Sequence, residues 1–349
     1  MEKAETDYGK FFTHKEDVMR KKGIALVLSV VIILYGSVVL AAGKTVGHVC
    51  DVEFAADKVG NADWVIIDGR SGAEYGNGHI PGAVTYGKPI VTVLKNPVDG
   101  RIVSVKNAEK LLGQIGMDNN KGLIIYGKKG DYHVALEQLP IYLGVKEFYY
   151  LDGGYEAWVK EGKPVQTEAV KPVPAIFKAK IANPKFYVST KEMIAIAKKK
   201  PANVTIIDNR SQKEYEGIEN TTLRGGRIPG AIHIGYELNL DKDTGKMLPI
   251  EELQKVYKNV PKNNQVIIYC HRGCRTAYSY YALERLGYKN FRIYEDSWIV
   301  YGARPDTPVE EEHYTNMRPV VGQVNDIAGM KARLDYLEER LNELGKEKK

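Results

Sequence analysis

The chain has 349 residues, of which 44% are hydrophobic and 27% are charged, a composition typical of globular proteins with room for two domains. The formal charge of +6 is modest, and no basic stripe alternates with aromatic residues, so we predict that the protein binds no nucleic acid. A small anionic substrate suits this charge better. Three cysteines, an odd number, argue against a structural disulfide framework.

The N-terminus has the pattern of a targeting element. A short polar tail, residues 1–22, ends in basic residues and precedes an almost uninterrupted apolar stretch at 23–43. This stretch fits a membrane anchor or a signal peptide core, and small residues near Gly43 would permit cleavage, so both interpretations stay open. Because the basic residues come first, we expect export across the cytoplasmic membrane, with the protein secreted or anchored on the periplasmic or extracellular face.

The remaining chain contains two copies of one pattern, in the same order. DGRS and EY at residues 68–75 recur as DNRS and EY at 208–215, IPGAV at 80–84 recurs as IPGAI at 228–232, and LIIYG at 123–127 recurs as VIIYC at 266–270. Such self-similarity indicates two copies of one domain with loop insertions. The copies differ where the second has Cys270, because the first has Gly127 there.

Each copy alternates apolar runs with helix-like segments. The runs at 64–68 and 204–208 are typical of buried parallel strands. The alternation predicts the α/β class, with a doubly wound parallel sheet in each domain. We place the first domain at 46–168, a proline-containing linker at 169–185 and the second domain at 186–312.

Residues 270–275, with the sequence CHRGCR, carry most of the chemical information. They follow the apolar run 266–269 and precede a helix-like stretch at 276–286 that has one apolar stripe. Ligands of doubly wound sheets bind beyond the carboxyl ends of the strands, where Cys270 falls. There the backbone N–H groups of the turn and the helix dipole favour an anion. A thiol with a pKa near 8.5 is only about 3% ionised at pH 7. The loop's cationic candidates are His271, Arg272 and Arg275.

These motifs resemble those of the tandem rhodaneses, the thiosulfate sulfurtransferase family. The likeness includes YxxxHIPGA at 75–83, LDGGYEAW at 151–158 and YEDSW at 294–298, and it spans roughly residues 46–312. In that family the first domain normally lacks the cysteine and the second carries it, as here. The chain departs from the pattern at Arg227, where many relatives have a histidine before IPGA.

The resemblance implies a sulfurtransferase without a cofactor or metal. Cys270 would take sulfane sulfur from thiosulfate or polysulfide as a persulfide and pass it to cyanide, a thiol or a protein acceptor. An alternative is a sulfur-carrier or binding protein that hands persulfide sulfur to a partner reductase. A phosphatase fits less well, because phosphatase loops space the cysteine and arginine by six positions, whereas five separate Cys270 from Arg275.

The resemblance also implies roles for the cationic residues. Arg272 resembles the loop cation that recognises dianionic thiosulfate, and Arg210 and Arg275 resemble further substrate-binding arginines, with Asp208 in a supporting role. Arg210 and Asp208 have a structural alternative as an ion pair, because Asp68 and Arg70 persist in the copy without the cysteine. Arg275 has the alternative of holding the shape of the loop.

Other loop residues and the remaining cysteines admit more than one interpretation. His271 is a cation or a solvated residue, and Gly273 provides the turn. Cys274 either resolves a persulfide or is a small side chain that fits the turn. We expect Cys50, at the start of a helix, to be an inert thiol.

The tail at 313–349 contains apolar residues at spacings of three and four: Ile327, Met330, Leu334, Leu337, Leu341 and Leu344. This seam predicts a coiled-coil helix that joins chains into a homo-oligomer. The alternative is a terminal helix that packs on its own domain or is solvated.

Overall fold

The computed structural model describes residues 43–96, 100–132, 138–220, 222, 224–314 and 331 of the chain. The predicted membrane or signal segment lies outside these residues except for Gly43, and so does the predicted coiled-coil seam. In the part of the chain that is described, no helix has the length and apolar character needed to span a membrane. Residues 313 and 314, which we assigned to the tail, belong to a strand of the second domain.

The first domain is built on a largely parallel sheet. Its strands are Thr45–Val46 (β1), Val49–Cys50 (β2), Trp64–Asp68 (β3), Val84–Thr85 (β4), Gly122–Tyr126 (β5) and Glu147–Leu151 (β6). They lie in the order β1, β2, β6, β5, β3, β4, and only the β1–β2 pair is antiparallel. Its helices are Val52–Asp57 (α1), Gly72–Gly76 (α2), Ile90–Leu94 (α3), Val105–Gln114 (α4), Gln138–Leu143 (α5) and Gly154–Lys160 (α6).

The second domain repeats this plan. Its strands are Val204–Asp208 (β7), Arg224–Arg227 (β8), Ala231–His233 (β9), Gln265–Tyr269 (β10), Phe291–Ile293 (β11) and Glu310–Tyr314 (β12). Its helices are Thr190–Lys199 (α7), Gln212–Tyr215 (α8), Ile250–Val256 (α9), Thr276–Arg285 (α10) and Ser297–Tyr301 (α11), with a 3₁₀ helix at Tyr236–Asn239. Strands β11, β10, β7 and β9 form a parallel sheet in that order, and β8 pairs antiparallel with β12.

The two sheets share one strand order. The sequence β6, β5, β3, β4 of the first domain corresponds to β11, β10, β7, β9 of the second. Tyr187 pairs in parallel with Ile293 beside β11, as β2 pairs beside β6. The prediction of tandem α/β domains with parallel sheets is therefore confirmed.

The repeated serine and glutamate motif forms the same helix start in both copies. The Ser71 hydroxyl accepts a hydrogen bond from the Glu74 backbone N–H, and the Glu74 carboxylate accepts one from the Ser71 backbone N–H. Ser211 and Glu214 form the same reciprocal cap on α8. This capping box satisfies backbone donors that would otherwise lack partners, so it turns the chain from a buried strand end into a helix.

Helix α10 is buried around its whole circumference from residue 276 to residue 283. The apolar stripe that we predicted is buried, and the burial extends beyond it to the other faces of the helix. One side packs on its own domain, where the Tyr280 ring lies 4.9 Å from that of Phe291. The other side meets the first domain, where the Tyr278 and Tyr150 hydroxyls are 3.1 Å apart and the Tyr281 ring stacks on Tyr150. The helix after the cysteine loop thus joins both domains through one continuous core.

The segment between the domains runs along the surface of the first domain without helix or strand at residues 169–185. The Ala175 N–H donates to the Gly113 carbonyl at 2.9 Å, and the Lys180 N–H donates to the Leu143 carbonyl at 2.8 Å. Phe177 is buried in the shared core. The linker is therefore fixed to the first domain by backbone hydrogen bonds and one aromatic anchor.

Candidate active site

A buried ion pair fixes the end of the strand that precedes the cysteine loop. The Arg210 guanidinium binds the Asp208 carboxylate through Nε at 3.0 Å and Nη2 at 2.6 Å, and Nη2 also donates to the Gly226 carbonyl. The Tyr269 hydroxyl, at the end of β10, donates to the same carboxylate at 2.6 Å. Strands β7 and β10 are therefore tied together one residue before Cys270.

Backbone contacts then fix Cys270 itself. Its carbonyl accepts a hydrogen bond from the Trp298 N–H at 3.0 Å, and its N–H donates to the Ser297 hydroxyl at 3.2 Å. The Gly273 N–H donates to the Cys270 sulfur at 3.0 Å. A donor directed at sulfur favours the thiolate over the thiol, so the loop provides part of the predicted anion cradle.

Gly273 is required by the shape of this turn. Its φ is +82°, which is costly for a residue with a side chain. A Cβ added there would lie 2.5 Å from a carboxylate oxygen of Glu295. Close contact with Glu295 and the left-handed backbone together explain the glycine and let its N–H point at the sulfur.

Cys270 lies at the buried base of a cleft of about 470 Å³ between the two domains. The second domain lines it with Cys270, His271, Arg272, Cys274 and Arg275, and the first lines it with Val91, Thr92, Lys95, Asn96, Gly100 and Tyr132. A volume of this order accommodates a small organic molecule, not only a simple anion. Both domains therefore shape the space in front of the sulfur.

The two loop arginines have different surroundings. Arg275 forms a bidentate pair with Glu214 at 2.6 and 2.9 Å, and its guanidinium lies over the Tyr132 ring. Burial opposes the Arg275 charge, but Glu214 and Cys270 more than compensate and raise its pKa. Arg272 is exposed on the cleft, and no residue in the described ranges forms an ion pair with it. Arg272 is thus available to an anionic ligand, whereas Arg275 mainly holds the loop to α8.

His271 lines the cleft as a neutral imidazole at neutral pH. Burial lowers its pKa to about 4, and although Glu214 favours the charged form, Arg275 and Arg272 oppose it. The lowered pKa favours the neutral form at pH 7 over the cation, and the side chain is half-buried at the edge of the cleft.

Arg210 and Asp208 do not line the cleft in the described structure. Arg210 is 1% exposed, and its guanidinium lies over the Trp298 ring with Asp208 and Gly226 as hydrogen-bond partners. Arg70 of the first copy makes the same contacts to Asp68 and to a carbonyl. The geometry favours the structural alternative for this pair over a role in substrate binding.

The other two cysteines differ in access. Cys274 lines the cleft with Cys270, and its sulfur lies 4.0 Å from the Arg272 carbonyl. Cys50 ends β2, so it precedes the helix that Asp51 caps and is not itself the helix start. Burial, with Asp51 and Asp152 nearby, raises the pKa of Cys50 well above its usual value, which fits the predicted inert thiol.

Two polar residues that support the loop, Lys95 and Gln138, were not predicted from the sequence, and Glu295 was noted only as part of the motif at 294–298. Lys95 Nζ binds Glu295 and the Arg272 carbonyl, and Gln138 Nε2 lies within 3.3 Å of the Gly273 carbonyl and Glu295. Lys95 and Gln138 come from the first domain, far away in sequence. No local pattern distinguishes them from surface residues, so only the assembled interface identifies them.

Comparison with known sequences identifies the family. The Rhodanese-like domain family matches the chain twice, at residues 51–161 and 189–303. The chain belongs to the rhodanese family. Both matches lie inside the domain limits predicted above, and the rhodanese loop with the cysteine is in the second match. The predicted tandem rhodanese is therefore confirmed at the level of family and fold.

Relatives of this rhodanese carry two kinds of name. It is 26% identical over 266 residues to a thiosulfate sulfurtransferase of Pseudomonas aeruginosa, covering 73% of this chain and 94% of the relative. It is 25% identical over 248 residues to a thiosulfate sulfurtransferase of Azotobacter vinelandii, and the alignment covers 70% of this chain and 90% of that relative. It is 27% identical over 250 residues to the sulfur carrier protein TtuD of Thermus thermophilus, and this alignment covers 67% of this chain and 86% of the carrier. The two thiosulfate sulfurtransferase names support an enzyme of the sulfurtransferase class.

A solved structure shows the same fold. The anaerobic ergothioneine biosynthesis enzyme of Chlorobium limicola, in complex with trimethyl histidine, aligns with a TM-score of 0.67 and 20% identity. The alignment covers 75% of the rhodanese described here and 70% of that enzyme. At this identity the likeness supports the architecture alone.

Proposed function

We propose that the protein is a thiosulfate sulfurtransferase that carries sulfane sulfur as a persulfide on Cys270. The observation that carries the proposal is the Gly273 N–H directed at the Cys270 sulfur, at the base of a cleft with an exposed arginine. The cradle favours a thiolate nucleophile, and Arg272 provides charge for an anionic donor. The names of the relatives from Pseudomonas aeruginosa and Azotobacter vinelandii support thiosulfate as that donor.

The proposed reaction has two displacements at sulfur. The Cys270 thiolate attacks the outer sulfur of thiosulfate, a new S–S bond forms, and the original S–S bond breaks with its electron pair leaving on sulfite. A nucleophilic acceptor, cyanide or a thiolate, then attacks the outer persulfide sulfur and releases the Cys270 thiolate. The cycle needs no external oxidant or reductant. The Gly273 N–H stabilises the negative sulfur at the start and end of each cycle.

Donor recognition in this scheme falls to Arg272. Arg275 is paired with Glu214 and His271 is neutral, so these two loop residues offer less to a dianion. The Arg272 guanidinium is exposed on the same cleft as the thiol. A charge-assisted contact with the sulfonate oxygens of thiosulfate would hold the outer sulfur toward Cys270.

A sulfur-carrier role is the second candidate, favoured by the similarity to a sulfur carrier protein of Thermus thermophilus. In this role a partner protein would take the persulfide sulfur, with little turnover of free small acceptors. Cys270 is only 1% exposed at the base of the cleft, so a partner would need an extended segment to reach it. This burial fits small donors and acceptors better.

We also propose that the domains act outside the cytoplasmic membrane, on the basis of the basic and then apolar N-terminus at residues 1–43. A reporter that is active only outside the cytoplasm, fused after Lys349, tests this topology. Reporter activity is expected. A silent reporter, with the fusion protein present in the cytoplasm, would contradict export.

A steady-state assay with thiosulfate and cyanide tests the enzyme against the carrier. The purified protein should form thiocyanate catalytically, with many turnovers per chain. Cys50→Ser is the matched control, because it removes a buried thiol outside the cleft and should keep this activity. A single turnover that stops at one sulfur per chain would favour the carrier, and no sulfur transfer at all would contradict both.

A further inference from the structure

The peptide bond between Arg272 and Gly273 connects the first domain to the reactive sulfur. Its N–H group, on Gly273, donates to the Cys270 sulfur at 3.0 Å. Its carbonyl oxygen, on Arg272, accepts a hydrogen bond from the Lys95 ammonium. One peptide unit is thus held at its oxygen by the first domain and directs its N–H at the nucleophile of the second.

Lys95 is a buried cation with defined partners. It follows α3, its side chain is 4% exposed, and its ammonium also binds the Glu295 carboxylate and the Gly100 carbonyl. A buried ammonium is costly unless it is paired and hydrogen-bonded, and these three acceptors meet that need. The Lys95 ammonium therefore has one fixed position against the loop.

The charge of Lys95 also acts on the thiols. Burial alone would lower the pKa of Lys95, but attraction to Glu295, Cys274 and Cys270 outweighs burial and raises it. The attraction is mutual, so the ammonium favours the thiolate form of the cysteines. Lys95 therefore stays charged while the reaction proceeds.

The basic residues of the cysteine loop itself do not replace the charge that Lys95 brings to Cys270. The charged and titratable groups around Cys270 are His271, Arg272, Cys274 and Arg275 of its loop, Glu214 of α8, Glu295 after β11, and Lys95 and Tyr132 of the first domain. His271 is neutral, Arg275 is bound to Glu214, and Arg272 is exposed. Lys95 is the buried cation in this set that reaches the cysteine turn from the opposite domain.

We propose that Lys95 is a positioning residue for sulfur transfer: it orients and polarises the Arg272–Gly273 peptide so that the Gly273 N–H stabilises the Cys270 thiolate and persulfide. Hydrogen bonds in a chain strengthen one another, so a cation on the carbonyl makes the N–H a better donor. Gln138, also from the first domain, holds the next carbonyl, on Gly273. The domain that has Gly127 in place of the reactive cysteine thereby completes the site. The effect of Lys95 on sulfur transfer rests on the proposed function, whereas its effect on the reactivity of the Cys270 thiol does not.

The test compares thiol reactivity in Lys95→Met with that in a matched lysine variant. Lys129 of the first domain also binds a carbonyl of the second, on Asp243, but lies outside the cleft lining, so Lys129→Met is the control. The rate of Cys270 alkylation by iodoacetamide is followed across pH, with the Cys50→Ser/Cys274→Ser background as reference. Lys95→Met should lower the Cys270 alkylation rate at neutral pH by about tenfold. Lys129→Met should leave that rate unchanged.

Lys95→Met leaves the Glu295 carboxylate buried without its cation, which destabilises the fold. A second variant therefore tests the same effect in a chain that lacks this unpaired charge. The double variant Lys95→Met/Glu295→Gln removes both charges and is expected to fold. Its Cys270 alkylation rate at neutral pH should be about tenfold lower than that of Glu295→Gln alone, the reference that accounts for the lost carboxylate. Equal rates in the folded double variant and in Glu295→Gln would overturn the proposal. The alkylation readout needs no sulfur donor, so a chain that fails to take sulfur from thiosulfate would contradict the proposed function and leave this test intact.

Discussion

The two copies of the domain share one structural frame, in which the tyrosine at the end of one strand binds the aspartate at the end of the neighbouring strand. They differ in the loop that follows this tyrosine. In the first copy the Tyr126 hydroxyl binds Asp68 at 2.6 Å and accepts the Ile80 N–H, and in the second Tyr269 makes the same contacts with Asp208 and Ile228. After these tyrosines the chain continues with Gly127 in one copy and with Cys270 in the other. The frame persists where no nucleophile exists, so its role is to position a strand end, not to react.

The cations of the two loops are also arranged differently. Lys128 comes directly after Gly127 and pairs with Glu74 of the capping box at 2.6 Å. In the second copy the matching position is His271, which is neutral, and Arg275 at the far end of the loop takes the matching glutamate, Glu214. Moving the pair to the end of the loop leaves the turn around Cys270 open to a ligand.

The largest expected effect comes from the difference at the strand ends. Cys270→Ser should abolish sulfur transfer with the fold intact, because the first copy has no cysteine in its place. Adding Gly127→Cys to that variant should not restore transfer, since position 127 lies outside the lining of the cleft and the neighbouring Lys128 is bound to Glu74. Thiocyanate formation is the measurement. Transfer above background in Cys270→Ser would refute the assignment of the nucleophile.

The shared frame predicts equal losses of stability in the two copies. Arg70→Met and Arg210→Met should each lower the free energy of unfolding by about 3–5 kcal/mol, because each leaves a buried carboxylate without its cation. Guanidinium unfolding measures the loss, and in Arg210→Met the transfer rate per folded chain should fall equally for all sulfur donors, because the pair positions the strand end and does not line the cleft. A selective loss of thiosulfate use in folded Arg210→Met would instead assign Arg210 to substrate binding.

A smaller effect is expected at the rim of the cleft. Arg272→Gly should weaken kcat/KM for thiosulfate by about 1.5–3 kcal/mol, or roughly 10- to 150-fold, through loss of a charge-assisted contact. A monoanionic thiosulfonate donor should lose less, and Arg272→Lys should retain part of the activity. Equal losses for both donors would mean that Arg272 shapes the loop and does not recognise charge.

The smallest effect is expected at His271. Its pKa of about 4 lies below the usual value near 6.5, so the folded chain holds it neutral at pH 7, and His271→Gln should change transfer there only slightly. Between pH 6.5 and 4 the unfolded state binds a proton that the folded state does not, so stability falls as the pH is lowered. Thermal melts across that range should show a weaker pH dependence in His271→Gln. A large loss of activity at pH 7 would give His271 a direct role.

Much of the fold was predictable, because its signals are local. The apolar runs at 64–68 and 204–208 became β3 and β7, and the stretch after Cys274 became α10. Repetition of the DxRS and IPGA motifs was enough to predict two copies. Periodicity could not predict that α10 is buried on all sides, because the second side is covered by Tyr150 of the other domain.

The site was predictable only in its own loop. Cys270 and Arg272 belong to one short motif, and the structure places both on the cleft. Lys95 and Gln138 reach the same loop from positions more than a hundred residues away, and Arg275 meets Glu214 across the second domain. Such contacts arise when the domains pack together, and one sequence contains no local signal for them.

The most direct test of the central claim is the intact mass of the purified protein after treatment with thiosulfate, followed by peptide mapping. The account predicts one added sulfur atom per chain, located on the peptide that contains Cys270, removable by cyanide and missing in Cys270→Ser. Absence of an added sulfur, or its location on Cys50 or in the first domain, would contradict the account.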